Sequence, residues 1–243
     1  MKKFYEKNEL WFAIVWIIVY VVVCGTVRGN FGDDSPAMLV VLALFSAGII
    51  AFVKQNHLEE KYGLCKWAGS AKDYLFFIPP LVLMTGNLWA GVGPVYGGIG
   101  QIFASVSLFL VGFVEEMIFR GFLFRILLKK DPAPVAILIS ALTFGIGHIV
   151  NLLTGHATLE TILQVLYAVA LGYLFTVLFY KSGSLVVCIV VHGLIDVFST
   201  FNAPAANESA ALIVNIYIVA VFIVSIAYCL YLAKKPTALI KDA

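Results

Sequence analysis

Charge is scarce in this sequence. Of 243 residues only 12% are Asp, Glu, Lys or Arg, where a soluble domain carries about a quarter. With so few charges and a mean hydropathy of +0.99, the chain cannot solvate a globular surface, and it suits a protein whose solvent is mostly lipid. Basic tracts are missing too: a net charge of +2 and no Lys/Arg-rich run exclude a nucleic-acid partner. The four cysteines, Cys24, Cys65, Cys188 and Cys229, form no C-x-x-C pair, and three lie in apolar runs. They read as small core residues rather than a disulfide frame or a metal site. Also absent are H-E-x-x-H, a serine elbow and G-x-G-x-x-G, which removes the common zinc-protease, serine-hydrolase and dinucleotide signatures.

What is present is apolar sequence in long runs. A bilayer core takes about 20 such residues per helix. Eight segments qualify or come close: 10–27, 37–53, 74–89, 102–128, 134–153, 161–180, 185–201 and 210–233. The second and third are short. The first is expected to be a retained span rather than a cleaved leader. It is long, it carries Trp11 and Trp16, and no A-x-A-like site follows it. No soluble domain fits between segments, so residues 1–243 are expected to form one integral membrane domain: N-terminal spans over 10–89, motif-bearing spans over 102–201, and a last span over 210–233. The expected fold is all-α, a polytopic transmembrane helical bundle. Eight crossings place every lysine and Arg125 on one side, leave Arg28 alone on the other, and put Arg120 within the membrane. By the positive-inside rule both termini are then cytoplasmic, in a multi-pass protein of the cell membrane.

Three acids, one arginine and two histidines interrupt these runs: Glu115, Glu116, Asp196, Arg120, His148 and His192. A charge near the bilayer centre costs roughly 2.5–3.5 kcal/mol on insertion scales. Glu116 and Arg120 are four residues apart, the spacing of a helical ion pair, which accounts for that pair but not for Glu115. Depth is more telling. At ~1.5 Å per residue, Glu115 lies ~21 Å from Lys129, His148 ~21 Å from Pro134, Asp196 ~22 Å and His192 ~16 Å from Lys181. Three spans thus carry polar groups in one layer, as a site requires. Gly145, Gly147 and Gly193 beside them allow close helix approach.

In order and spacing, Glu115-Glu116-Met117-Ile118-Phe119-Arg120 resembles E-E-x-x-x-R, Phe144 to His148 resembles F-x-x-x-H, and His192 to Asp196 resembles H-x-x-x-[ND]. Together they resemble the CPBP intramembrane protease family, which includes the type II CAAX prenyl proteases and the bacterial Abi proteins linked to bacteriocin processing and self-immunity. The resemblance covers about 80 residues of the C-terminal half. It implies an eight-span helical fold and peptide hydrolysis within the membrane, the substrate being a membrane-embedded or lipidated peptide or protein. By position, Glu115 is the implied general base, His148 helps hold the water, His192 and Asp196 line the oxyanion site, and Arg120 fixes Glu116. A carboxylate is suited to take a proton from water, and a histidine to donate to an oxyanion. One departure is Asp196, where the prenyl proteases usually carry Asn. It must be protonated, orient His192, or bind a metal. The expectation is a metal-free glutamate mechanism with no cofactor; the alternative is a zinc site of Glu115, His148, His192 and Asp196. Two other functions use the same residue types. One is a proton- or ion-coupled transporter, although no repeat or paired broken helices are visible. The other is a non-catalytic bacteriocin immunity protein.

The remaining polar and aromatic residues read simply. His57 and His156 fall in connectors and are expected to be solvated. Trp11, Trp16, Trp67 and Trp89 are expected to anchor at the interface. Lys61, Lys66 and Lys72 suit an anionic leaflet. The Gly-rich stretch 85–100 reads as an extracytoplasmic loop.

Overall fold

A computed structural model of the chain describes residues 1–64, 75, 77–149, 158–202 and 208–234, the side chains of 158–160, 208–211 and 215 excepted. The expectations for Cys65, Lys66, Trp67, Lys72 and His156 lie outside the described residues.

Every regular element among the described residues is helical. A short surface helix, α1 (Lys2–Lys7), precedes α2 (Glu9–Phe31), whose N-terminus is capped by Asn8 accepting from Trp11 N at 3.1 Å. Gly32 ends α2 at φ +82°, a conformation open to glycine, and the chain turns within four residues into α3 (Pro36–Gln55). Ser35 caps that helix and Pro36 occupies its first position, where a missing N–H costs nothing. Then come α4 (Ile78–Leu83), a 3-10 turn (Gly86–Leu88), α5 (Gly98–Glu115), a π-helical segment (Glu116–Phe124) and α6 (Arg125–Lys130). The bundle closes with α7 (Ala133–Gly147), α8 (Thr158–Ser182), α9 (Leu185–Ser199) and α10 (Glu208–Ala233).

Among the described residues, five helices are long and apolar enough to cross a membrane: α2, α3, the continuous 98–130 helix, α8 and α10. The segments 78–88, 133–147 and 185–199 are apolar but shorter. The third expected span, 74–89, is therefore not one helix. Pro79 and Pro80 stand in the first turn of α4, and a helix cannot run back through them with its hydrogen bonds intact. Six residues later α4 gives way to the 3-10 turn. There Gly86 packs flat on Tyr217, with no room for a Cβ.

The 98–130 helix is the axis of the bundle. Its π segment is buried at all nine residues and touches α2, α7, α8 and α9, while α5 packs along α9 and α7 along α8. Small residues set these contacts. A Cβ on Gly112 would lie 2.5 Å from the Gly193 backbone nitrogen, and one on Gly145 would strike Val169. Helices that close bring their polar groups within reach of one another.

Several lesser expectations can be placed. Cys24, Cys188 and Cys229 are free and buried, and His57 is exposed. Trp11 and Trp89 are exposed, and Trp16 is half-buried. It packs among Phe12, Phe45 and Phe122 at ring-centre distances of 6.0–6.2 Å, because α2 turns that face toward α3 and the π segment. The stretch after α4 is tied down by Gly93 N donating to Phe201 O and Val95 N to Thr200 O, at 2.8 and 2.9 Å.

Candidate active site

The residues of E-E-x-x-x-R straddle the junction between α5 and the π segment. Glu115 ends the α-helix and Glu116 opens the wider π turn. π turns carry an extra residue and recur at functional sites. This one points two adjacent carboxylates at a single imidazole. Glu116 Oε1 lies 2.8 Å from His192 Nδ1 and 2.9 Å from Arg120 Nη1. Glu115 Oε2 lies 3.7 Å from His192 Nε2, and Asp196 Oδ2 lies 3.6 Å from the same nitrogen. Glu116, ion-paired with Arg120 as a carboxylate, can only accept, so His192 Nδ1 is the donor toward it, and Nε2 is the nitrogen that faces Glu115 and Asp196.

The ion pair expected from spacing is made, and both side chains are fully buried. Its surroundings explain how a guanidinium is tolerated there. Arg120 lies 4.1 Å over the Phe144 ring, a cation–π contact, and Gly172 leaves space for Nη2, which a Cβ would approach to 3.3 Å. Phe144, the first residue of F-x-x-x-H, also meets the His192 ring edge-on at 5.7 Å, while Phe175 stacks on the other side at 5.7 Å. The imidazole is thus clamped by two aromatic rings and one carboxylate.

His148 caps the C-terminus of α7, with Nδ1 3.2 Å from Phe144 O. It stands between two cavities. A small chamber of about 40 Å3 is lined by Tyr20, Cys24, Arg28, Glu115, Phe144 and His148, among others. A larger cavity of about 460 Å3 has His148, His192, Asp196 and Asn87 among its walls, together with apolar surface from α8 and α10 such as Leu163, Leu171 and Val214. All six motif side chains therefore belong to one site: four contact each other directly through His192, Arg120 braces Glu116, and His148 shares a chamber with Glu115. Among the described residues, no group of three or more His, Cys, Asp and Glu side chains is arranged to hold a metal ion.

Two contributors were not foreseen. Tyr20 on α2 donates its hydroxyl to Glu115 Oε1 at 2.8 Å. Asn87, in the 3-10 turn, donates to Ile195 O at 2.8 Å and fixes that turn against the face of α9 that carries Asp196. The only signal for Tyr20 is a hydroxyl midway along an apolar run. Asn87 sits in a stretch read as loop.

Residues 100–198 match the family model described as "Type II CAAX prenyl endopeptidase Rce1-like". No curated protein and no solved structure matches the chain. The matched stretch begins in α5, ends in α9 and contains all six motif side chains. This is a multi-pass membrane protein, and its motif-bearing segment, residues 100–198, is similar to the Rce1-like type II CAAX prenyl endopeptidases.

Proposed function

We propose that the protein hydrolyses a peptide bond of a membrane-embedded or lipidated substrate, with water activated by Glu115. One observation carries this reading above the others: two carboxylates on adjacent residues converge on one imidazole, where a water-sized chamber meets a cavity large enough for a peptide. In this mechanism the peptide lies in the larger cavity and water lies between Glu115 and His148. Glu115 takes a proton from the water as its oxygen bonds to the scissile carbonyl carbon. The oxygen left negative is met by Nε2–H of His192, which acts as the doubly protonated imidazolium with its Nδ1–H on Glu116. The C–N bond then breaks, and the proton held by Glu115 passes to the leaving amine. Arg120 and Glu116 act on His192, holding its Nδ1 side so that Nε2 faces the carbonyl oxygen. No resident metal is needed in this scheme. Asp196 supports the oxyanion site by hydrogen bonding. The apolar walls of the larger cavity suit a lipidated chain, and the prenylated C-terminal peptides on which the family acts are the substrate class proposed.

The test is an internally quenched farnesylated peptide ending in Cys-aliphatic-aliphatic-X, presented in proteoliposomes, alongside peptidomics of cells carrying wild type or Glu115→Gln. Glutamine keeps the size of Glu115 but accepts no proton. We expect Glu115→Gln to accumulate normally and to lose about 10²- to 10⁴-fold in turnover, the range of general-base catalysis. Near-normal turnover by the purified variant would sink the assignment. The same proposal places both termini in the cytoplasm, as the lysine distribution implies. Labelling of single cysteines at positions 2 and 234 by an impermeant maleimide, in intact against opened cells, checks it.

A further inference from the structure

An intramembrane hydrolase must bring water to a carboxylate surrounded by lipid-soluble residues, and the six motif residues do not say how. The small chamber does. Three of its walls, Tyr20, Cys24 and Arg28, lie at positions i, i+4 and i+8 of α2, so they form one stripe along one face of that helix. At the inner end Tyr20 is hydrogen-bonded to Glu115 Oε1 at 2.8 Å. In the middle is the small side chain of Cys24, buried. At the far end the Arg28 side chain, 30% exposed, is held by Asp33 at 2.7 Å. Tyr20 and Cys24 are both buried, and the stripe becomes exposed only at Arg28, toward the end of the bundle where α2 stops. Val21 and Gly25 of α2 line the same chamber beside Cys24. None of Tyr20, Cys24 and Arg28 lines the larger cavity.

We infer that the Tyr20–Cys24–Arg28 face of α2 is the route by which hydrolytic water reaches Glu115, with Tyr20 as the positioning residue that holds the Glu115 carboxylate toward it. The inference rests on the reading of Glu115 as the general base. It assigns a role to the N-terminal half of the chain, which the matched family segment leaves out. The division of labour is spatial: water enters beside α2, and peptide occupies the cavity between α8, α9 and α10. A chamber of about 40 Å3 admits water and excludes a side chain.

The division gives a kinetic signature. Blocking a water route lowers kcat and leaves KM alone, whereas damage to the peptide cavity raises KM. Two variants read it with the farnesylated peptide in proteoliposomes. Cys24→Val adds about enough volume to fill the chamber without adding a polar group. Tyr20→Phe keeps the ring and removes only the hydroxyl. Each is expected to lower kcat about 10-fold or more, since one hydrogen bond to a charged group or a small misplacement of the nucleophile carries that effect. KM should stay within about twofold. Cys229→Val, the same substitution at an equally buried cysteine of α10, should cleave at the wild-type rate. Melting temperatures of all three variants separate a local effect from loss of fold, and Tyr20→Phe, nearly isosteric, serves if Cys24→Val melts early. Wild-type kcat in both Cys24→Val and Tyr20→Phe, with Glu115→Gln inactive, would show that water arrives through the larger cavity and would overturn the inference alone. So would a rise in KM at constant kcat, which would make the chamber a peptide subsite. Activity retained in Glu115→Gln removes the base itself, and the inference falls with the reading beneath it.

Discussion

The 98–130 helix and α10 are both apolar enough to cross a membrane, yet they are built for opposite surroundings. Over its most apolar window the first has a mean hydropathy of 2.0 and is half buried, while α10 has 2.5 and is 24% buried. The less apolar helix is the inner one. In water the order would be reversed, because burial there follows apolarity. In lipid, apolar surface gains nothing by leaving the solvent, so the interior is selected for close packing and for polar groups that lipid cannot accommodate. The 98–130 helix accordingly holds Glu115, Glu116 and Arg120, and α10 turns Ile216, Val219, Ile223 and Ile226 outward.

If that contrast is correct, substitutions should matter in proportion to how far inside the polar layer they fall. The largest effect on stability is expected at Arg120. Arg120→Ala leaves Glu116 buried beside His192 without its cation, and breaking a buried pair costs about 3–5 kcal/mol. Activity and melting temperature should both fall, and Glu116→Gln/Arg120→Gln should melt higher than Arg120→Ala. Absence of that recovery in thermal denaturation argues against the pairing.

Next in size is Gly112→Ala. Its methyl would meet backbone atoms of Gly193 at 2.5 and 2.6 Å, which cannot swing aside, so α5 must part from α9 and Glu115 from His192. A loss of about 1–3 kcal/mol is expected, with turnover falling alongside. Gly193→Ala is the milder partner, because its methyl meets the Phe109 ring at 2.8 Å, a side chain that can rotate. Equal melting temperatures for the two variants would show that the α5–α9 contact is looser than drawn.

Smaller still is Asp196→Asn. Asparagine keeps the shape and hydrogen bonding of Asp196 without a charge, so activity should stay within a few-fold of wild type, with no inhibition by EDTA and no stoichiometric zinc by elemental analysis. Stoichiometric metal that disappears together with activity in Asp196→Asn would replace the glutamate mechanism with a metal-dependent one. The smallest effect belongs to α10. Ile223, 61% exposed, exchanges contacts with lipid tails, so Ile223→Ala should shift stability by about 0.5 kcal/mol or less. A shift as large as that of Gly112→Ala would mean that this face of α10 is covered by protein.

Much of the site could be read from spacing because its parts are local. Glu115–Arg120, Phe144–His148 and His192–Asp196 are each confined to about one helical turn, and counting rise from Lys129, Pro134 and Lys181 sets Glu115, His148 and Asp196 at one depth. The contacts between the turns could not be read. That Glu115 and Glu116 reach opposite nitrogens of one ring depends on how α9 rotates against α5, which is decided at Gly112 and Gly193 by close packing rather than by any periodic pattern. Tyr20 escaped for a similar reason: its partner is 95 residues away, and a hydroxyl in an apolar run has no spacing to announce it. Span 74–89 was drawn as one helix because hydropathy windows average over Pro79 and Pro80, whereas the backbone cannot.

The π segment also changes how this axis helix must be aligned with anything else. Residues 98–115 and 125–130 are ordinary α-helix, but the nine residues between them advance more slowly around the axis than the same number of α residues would. The helix is therefore two rulers joined out of phase at Glu116. Deleting one residue from 116–124 would not shorten it by one step. It would swing the whole of α6, with Lys129 and Lys130, to a different azimuth while leaving Glu115 where it is, and an insertion would swing it the other way.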